Sequence, residues 1–398
     1  MSARRGAGPP GTLVAFHHAE LSGPFHSLER PLRWLAEEGP LDVVVPAPGR
    51  VAEAMAAGAR VTVLDYSPFT VPRGAAALAR ASAGFVRDVR AFRRLLRERR
   101  PGLVVAVTST LPPLLAAARL ERLPAIADVR EILVDGGTGG RGRELAGRAL
   151  IATTARLSTR ITACSERVAG QFRGTAAARV RTIHPPIEPR YAEGDGPRFR
   201  AAVGLGPDDR CLLAVGNLTR GRGQDVLIRA MPALRRELPG ARCVLVGAPF
   251  DRPQDRAYAE EIAALVARLG LAEAVLVTGE REGIADAYAA ADLVVNPARF
   301  PEPFGRVGPE ALLAGTPVVA AAVGAIPEVL RDGETALLVP PDDPERLAAA
   351  ALELLRDPGL ARRLAEAGGR EVRARFSPER ALSAFREVVA EARAARWG

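Results

Sequence analysis

Residues 296–330, NPARFPEPFGRVGPEALLAGTPVVAAAVGAIPEVL, follow the apolar run Asp292 to Val295, pass through a loop containing proline and glycine, and open a helix near Arg306 to Glu310. A strand that feeds a helix through such a loop is the repeating unit of an open α/β sheet. In these sheets ligands sit beyond the carboxyl ends of the strands, where helix N-termini offer unpaired N–H groups to phosphate. Phe304, Gly305 and Arg306 stand at that position, and Gly305 lets the backbone approach a ligand that any side chain would hinder. Glu302 and Glu310 flank the turn, and an ionised carboxylate accepts hydrogen bonds from paired hydroxyls such as those of a sugar or a ribose. Each glutamate alone also reads as a solvated loop residue or a first-turn residue favoured by the helix dipole.

A second stretch, residues 214–249, AVGNLTRGRGQDVLIRAMPALRRELPGARCVLVGAP, presents strand, glycine-rich turn, helix and strand in order. Arg220 and Arg222 lie in the turn, where they could reach a diphosphate and neutralise the charge of a departing nucleoside diphosphate, doing a metal's work. An isolated basic turn is as readily a solvated one, and only the two stretches together favour a phosphate ligand.

Outward from these stretches the same alternation of Val/Ile/Leu runs and amphipathic segments occurs twice, the pattern of parallel strands joined by crossover helices. Candidate strands of the first half are 12–17, 41–45, 60–64, 103–107, 125–128, 161–164 and 180–184; those of the second are 211–215, 242–246, 274–278, 292–295, 317–320 and 336–339. Between the halves, HPPIEPRYAEGDGPRF carries Pro185, Pro186, Pro189, Gly194, Gly196 and Pro197, which break regular structure and mark a linker. Ser377 before Pro378 reads as N-cap and first residue of a last helix. The expected division is residues 1–188, 189–376 and a C-terminal helix, 377–398, crossing back to the first domain.

Composition agrees with two domains. The chain has 398 residues, 48% apolar and 25% charged, enough to bury two cores. Its net charge of +9 comes from arginine, since the sequence contains no lysine, so an arginine is expected wherever a basic phosphate ligand is needed. Cys164, Cys211 and Cys243 are widely spaced without a CxxC pair, which suggests buried thiols rather than a disulfide framework or zinc site. The first residues lack the apolar core of a signal peptide and no run is apolar enough to span a bilayer. The expectation is a cytoplasmic protein. Val86 to Arg100 puts apolar residues on one side of a helix and arginines elsewhere, which suits either an outer Rossmann helix packed on its sheet or a peripheral contact with the inner membrane face.

The two stretches together resemble the retaining glycosyltransferases of family 4, the group 1 glycosyltransferases. The family's Gly-Arg-Leu followed by Lys-Gly is matched by Gly216, Asn217, Leu218, Arg222 and Gly223, and its glutamate pair by Glu302 and Glu310 within EPFGRVGPEALLAGTPVV. GAIPEVLRDGETALLVPPDDPERLAAAALELL continues the likeness, ITACSERVAGQF resembles the segment before the family's hinge, and RTIHPPIEPR the hinge itself. The resemblance implies a GT-B fold, two Rossmann-like domains facing each other across a cleft. It implies transfer of a sugar from a UDP- or GDP-sugar to a hydroxyl acceptor (glycan, lipid-linked or small molecule) with retention, without metal or cofactor. Carried over by position, Arg222 grips the diphosphate, Glu310 the ribose, Glu302 the transferred sugar, and backbone N–H groups at Phe304 and Gly305 hold phosphate or sugar oxygens. Thr278 and Gly279 fall where the nucleotide base lies. Asn217 departs from the family's arginine, for which Arg220 could compensate from the same turn.

In the first half many family members place a histidine after a strand where ADVREIL has Arg130 and Glu131, residues that would face the acceptor, form a buried ion pair or stand at a solvated strand end. Ser22 and Gly23 lie in the loop between the donor and acceptor sides. His17, His18 and His26 invite a metal hypothesis, but no carboxylate and cysteine constellation accompanies them. An epimerase on the same architecture and a non-catalytic nucleotide-sugar binding protein are the competing readings. A phosphorylase would need a pyridoxal-binding lysine, a dehydrogenase a GxGxxG after the first strand, and no nucleic-acid partner is expected.

Overall fold

A computed structural model describes residues 11–21, 23–68, 75–134 and 140–395. The chain clusters into two units, Met1–Pro185 with Pro378–Gly398, and Pro186–Ser377. The boundary falls before Pro186 rather than after Glu188 because hydrogen bonds hold the intervening residues to the second unit. Ile187 N–H donates to Phe376 O (2.8 Å) and Arg306 Nη1 to Pro186 O (3.1 Å).

In the first unit β1 (Thr12–Phe16), β2 (Leu41–Val45), β3 (Arg60–Val63), β4 (Leu103–Val107), β5 (Ala125–Val129), β6 (Arg160–Ala163) and β7 (Val180–Thr182) form one parallel sheet in the order β3-β2-β1-β4-β5-β6-β7. Both faces are covered, which explains why these strands read as unbroken apolar runs. Leu13 and Ala15 enter one core with Val44, Phe92 and Leu96, while Val14 and Phe16 enter the other with Val43, Leu32 and Phe385. The helix Ala75–Arg99 spends Phe92, Leu95 and Leu96 on the first of these cores, and Arg93 and Arg97 both pair with Glu121. It is thus an outer helix of the sheet. No helix among the described residues is long and apolar enough to cross a membrane.

The last helix, Pro378–Ala394, returns to this unit and buries Phe385, Val388, Val389 and Ala392 in the second core. The Phe and Val side chains contribute about 1.5–3 kcal/mol each by leaving water. Trp34 meets Phe385 edge-on at 6.4 Å between ring centroids, and Arg160 pairs with Glu391 at 2.8 Å.

The second unit repeats the plan with β8 (Arg210–Val215), β9 (Ala241–Val246), β10 (Val275–Gly279), β11 (Leu293–Asn296), β12 (Val318–Ala321) and β13 (Leu337–Val339), all parallel, in the order β10-β9-β8-β11-β12-β13. Cys211 and Leu213 point into one core, Leu212 and Ala214 into the other. All three cysteines are buried free thiols.

Candidate functional site

In the second unit the order of strands reverses between β8 and β11, and the crevice beyond such a reversal is where ligands bind in open parallel sheets. The chain leaving β8 forms the turn carrying Arg222, and the chain leaving β11 forms the loop carrying Glu302. The two are interlocked. Arg299 N–H and Phe300 N–H both donate to Gly221 O, at 2.8 and 3.2 Å. Gly223 has φ +69°, and a Cβ there would stand 2.1 Å from Pro297 O, so only glycine permits this approach.

The interlock brings Arg222 Nη1 to 2.8 Å from Glu302 Oε1, which also accepts from Asn296 Nδ2 at 3.3 Å. Glu302 is 4% exposed. Arg222 is partly open and lies 5.2 Å over the Phe300 ring, so it keeps donors for an incoming anion. Gly305 follows with φ +83°, its position for a Cβ 3.6 Å from Glu302 Oε2. The Phe304 ring is buried against Phe376 (5.2 Å, edge-on).

Glu310, in the first turn of the helix Val307–Leu313, accepts from Arg306 Nε on Oε1 and from Tyr288 O–H on Oε2, both at 2.9 Å. Burial and the neighbouring Glu310 push the Tyr288 hydroxyl well above its ordinary pKa, so it remains a donor. Each carboxylate oxygen retains a second lone pair. Arg306, expected at the phosphate, is partly buried, with its Nε on Glu310. Burial works against its charge, but Glu310 and Tyr191 hold its pKa above the usual arginine value, and its Nη1 is spent on Pro186 O.

Arg220, expected to compensate for Asn217, directs its guanidinium to Glu261 (2.6 Å to each carboxylate oxygen) and over the Tyr258 ring at 5.4 Å. It thus has partners other than those of Arg222. Asn217 bonds Ala248 O at 3.3 Å and stands beyond the end of β8. Thr278 and Gly279 close β10, where Gly247 N–H donates to Gly279 O at 2.9 Å, so β8, β9 and β10 meet the same edge.

In the first unit the corresponding reversal lies between β1 and β4. His17 and His18 follow β1, their rings 4.1 Å apart, and His26 packs near Phe25. Among the described residues no group of three or more His, Cys, Asp or Glu side chains is placed to hold a metal. Gly23 begins the helix Gly23–Glu38 with open space around it; Ser22 lies outside the described residues. Arg130 pairs with Asp128 (2.5 Å), and Glu131 accepts from Ser109 N–H, Ser109 O–H and Arg130 N–H. Burial raises the Glu131 pKa despite those bonds. Arg130 and Glu131 are thus partly buried and bonded within the unit, Arg130 to Asp128 and Glu131 to Ser109. After β4, Thr108 adopts φ +79°, a strained conformation for a β-branched residue, at the carboxyl edge of the sheet.

Residues 209–357 match the family described as Glycosyl transferases group 1, and residues 22–186 match the Glycosyl transferase 4-like domain. Between them the two matches cover most of the chain, which belongs to the group 1 glycosyltransferases, an enzyme family of GT-B fold. The D-inositol 3-phosphate glycosyltransferase of Acidothermus cellulolyticus is 34% identical over 275 residues, 66% of this chain and 60% of that protein. The enzyme of the same name from Mycobacteroides abscessus is 39% identical over 181 residues, 45% of this chain and 39% of that one. The chain thus spans about half the length of the curated relatives it matches. Among solved structures, HepE of Anabaena in complex with UDP and glucose aligns with a TM-score of 0.78 at 21% identity, covering 96% of this chain and 99% of that chain. Sucrose-phosphate synthase of Thermosynechococcus elongatus aligns with a TM-score of 0.78 at 21% identity, covering 96% and 98%. At that identity the likeness is one of fold.

Asn296, Tyr288, Asp225 and Arg299 support the site without having been singled out from sequence. Tyr288 acts on Glu310 22 positions away and Arg299 on Asp225 74 away, a signal no spacing rule reveals, while Asn296 bonds Glu302 from six residues upstream at the end of β11.

Proposed function

We propose that this chain is a retaining glycosyltransferase whose second unit binds a nucleotide-sugar and whose first unit recognises a hydroxyl acceptor. The Arg222–Glu302 pair at the strand reversal carries the reading, because it sets a partly free cation beside a carboxylate in a crevice approached by glycine backbone. Arg222 holds the diphosphate and stabilises the charge that develops as it leaves. Glu302 orients the transferred sugar, and Glu310, held by Arg306 and Tyr288, accepts from the ribose diol. Backbone N–H groups at Phe304 and Gly305 bind phosphate or sugar oxygens, with Asn217 beside them and Thr278 and Gly279 next to the base. The acceptor hydroxyl attacks from the face the diphosphate vacates and gives its proton to the leaving phosphate. That route needs neither a protein base nor a metal.

UDP is the first base to test, since HepE is described in complex with UDP, with UDP and glucose, and with UDP-glucose. A phosphorylated polyol is the first acceptor class, from the names of the relatives. The test is thermal stabilisation by a panel of nucleoside diphosphates and their sugars without metal, for wild type and Glu310→Ala. A shift for one base that the substitution abolishes supports the donor site; no shift with any of them in folded protein refutes it. A nucleotide-sugar epimerase would convert donor without acceptor, so product analysis separates the two.

A further inference from the structure

Arg299, in the loop after β11, has a fork occupied on every side. Nη1 and Nη2 meet Asp225 Oδ1 and Oδ2 at 2.5 and 2.7 Å, Nε and Nη2 meet Asp342 Oδ1 at 2.9 and 2.7 Å, and Nη1 also donates to Arg220 O at 3.3 Å. Asp225 is 5% exposed at the start of the helix Gln224–Glu237 and accepts a further bond from Tyr258 O–H at 2.6 Å. Arg229 adds a second cation at 2.6 Å. Bidentate arginine–carboxylate pairs fix direction as well as distance, and lysine cannot reproduce them.

The position of this fork gives it a consequence. The turn carrying Arg222 ends at Gly223, two residues before Asp225, and the loop carrying Glu302 begins at Pro297, two residues before Arg299. The Arg299–Asp225 pair therefore joins the two segments on one flank, while the bonds to Gly221 O and the Arg222–Glu302 pair join them further along. Asp342, after β13, braces the same guanidinium from a third segment. Without the fork, Arg222 and Glu302 would sit on loops held together mainly by a backbone contact and by their own bond, the bond that a donor's diphosphate and sugar must share.

We infer that Arg299 is a positioning residue for the donor site: clamped by Asp225 and Asp342, it fixes the Glu302 loop on the Arg222 turn and so sets the spacing at which both meet the nucleotide-sugar. This rests on the function proposed above. The clamp does not touch the donor. Its loss acts through geometry, where a displacement of about 1 Å can cost on the order of a hundredfold in rate.

The test compares wild type with Arg299→Gln, Arg299→Lys and Asp342→Asn by UDP binding in calorimetry, by kcat and KM for the donor, and by circular dichroism and thermal melts of the same preparations. Asp342→Asn weakens the more exposed arm and leaves Asp225 paired, so it reports even if Arg299→Gln fails to fold. The expectation is a loss of about tenfold or more in kcat/KM for Arg299→Gln, falling mainly on kcat, with weaker UDP binding. Asp342→Asn should show a smaller loss of the same kind. Arg299→Lys, which keeps the charge but not the fork, should recover thermal stability without recovering kcat. Folded variants with wild-type kcat, KM and UDP affinity but a lower Tm would show a merely structural ion pair and overturn the inference, as would full recovery of kcat by lysine. Wild-type protein that binds no nucleoside diphosphate would overturn the donor-site reading itself, and the inference with it.

Discussion

Arg222→Met separates what the cation does for the fold from what it does for a ligand. Glu302 is 4% exposed and takes bonds from Arg222 at 2.8 Å and Asn296 at 3.3 Å, so the substitution leaves a buried carboxylate with the longer of the two. Losing a hydrogen bond to a charged group costs about 1.5–3 kcal/mol, below the 3–5 kcal/mol of a fully buried pair because the Arg222 side chain is 31% exposed. At about 2–4 °C per kcal/mol for a domain of this size, the melting transition of the second unit should fall by roughly 3–12 °C. Adding Glu302→Gln removes the stranded charge and should return most of that loss. Binding should not follow. The cation that meets the diphosphate is still missing, so affinity for the nucleoside diphosphate should remain about 10–100-fold weaker in calorimetry, equivalent to about 1.4–2.8 kcal/mol. Wild-type affinity in the double variant would mean that Arg222 serves only to neutralise Glu302, and the donor-site argument would fail.

Gly223→Ala should cost several degrees of Tm and weaken nucleotide binding, because its Cβ would need to displace Pro297 O from 2.1 Å at φ +69°; unchanged melting would contradict the interlock. Tyr288→Phe should cost about 1 kcal/mol and lower nucleotide affinity by freeing Glu310 Oε2, read by urea melts and calorimetry. Burial, with His18 beside it, lowers the His17 pKa from 6.5 to about 4, so the unfolded chain takes up the proton first. Its contribution to stability is complete above about pH 6.5 and declines as pH falls towards 4, by about 3 kcal/mol in all, and His17→Gln should flatten stability across that window. Chelators should leave donor turnover unchanged, since the proposed charge stabilisation comes from Arg222; a metal requirement in steady-state kinetics would overturn that assignment.

Strand positions were legible because a parallel sheet covered on both faces demands continuous apolar runs, and each candidate run lies within a residue or two of an observed strand. The Arg222 turn and the glutamate pair were legible for a related reason: glycine, arginine and glutamate at loop positions next to strand ends carry a chemical meaning that does not depend on distant neighbours. Direction of side chains was not. Arg220 and Arg222 are two residues apart in one turn, yet one meets Glu261 and the other Glu302, because the 3₁₀ turn Arg220–Arg222 sends them to different partners. Arg306 reads as a phosphate ligand from its place before a helix; the structure gives it Glu310 at i, i+4 helical spacing and the Pro186 carbonyl 120 positions away, and only the second partner lies beyond the local sequence.

By itself, then, the sequence determined the two α/β units and the positions of their strands and loops, since these follow from periodicity and from glycine and proline placement within short windows; most of the proline-rich stretch it marks as a linker instead belongs to the second unit, where Tyr191 and Phe199 enter the core. Tertiary structure decided which of the charged residues in those loops are paired and which retain capacity for a ligand. That outcome depends on burial and on partners far apart in the chain, 80 positions for Arg222 and Glu302 and 120 for Arg306 and Pro186, and a charged group's role is fixed only when its partners are.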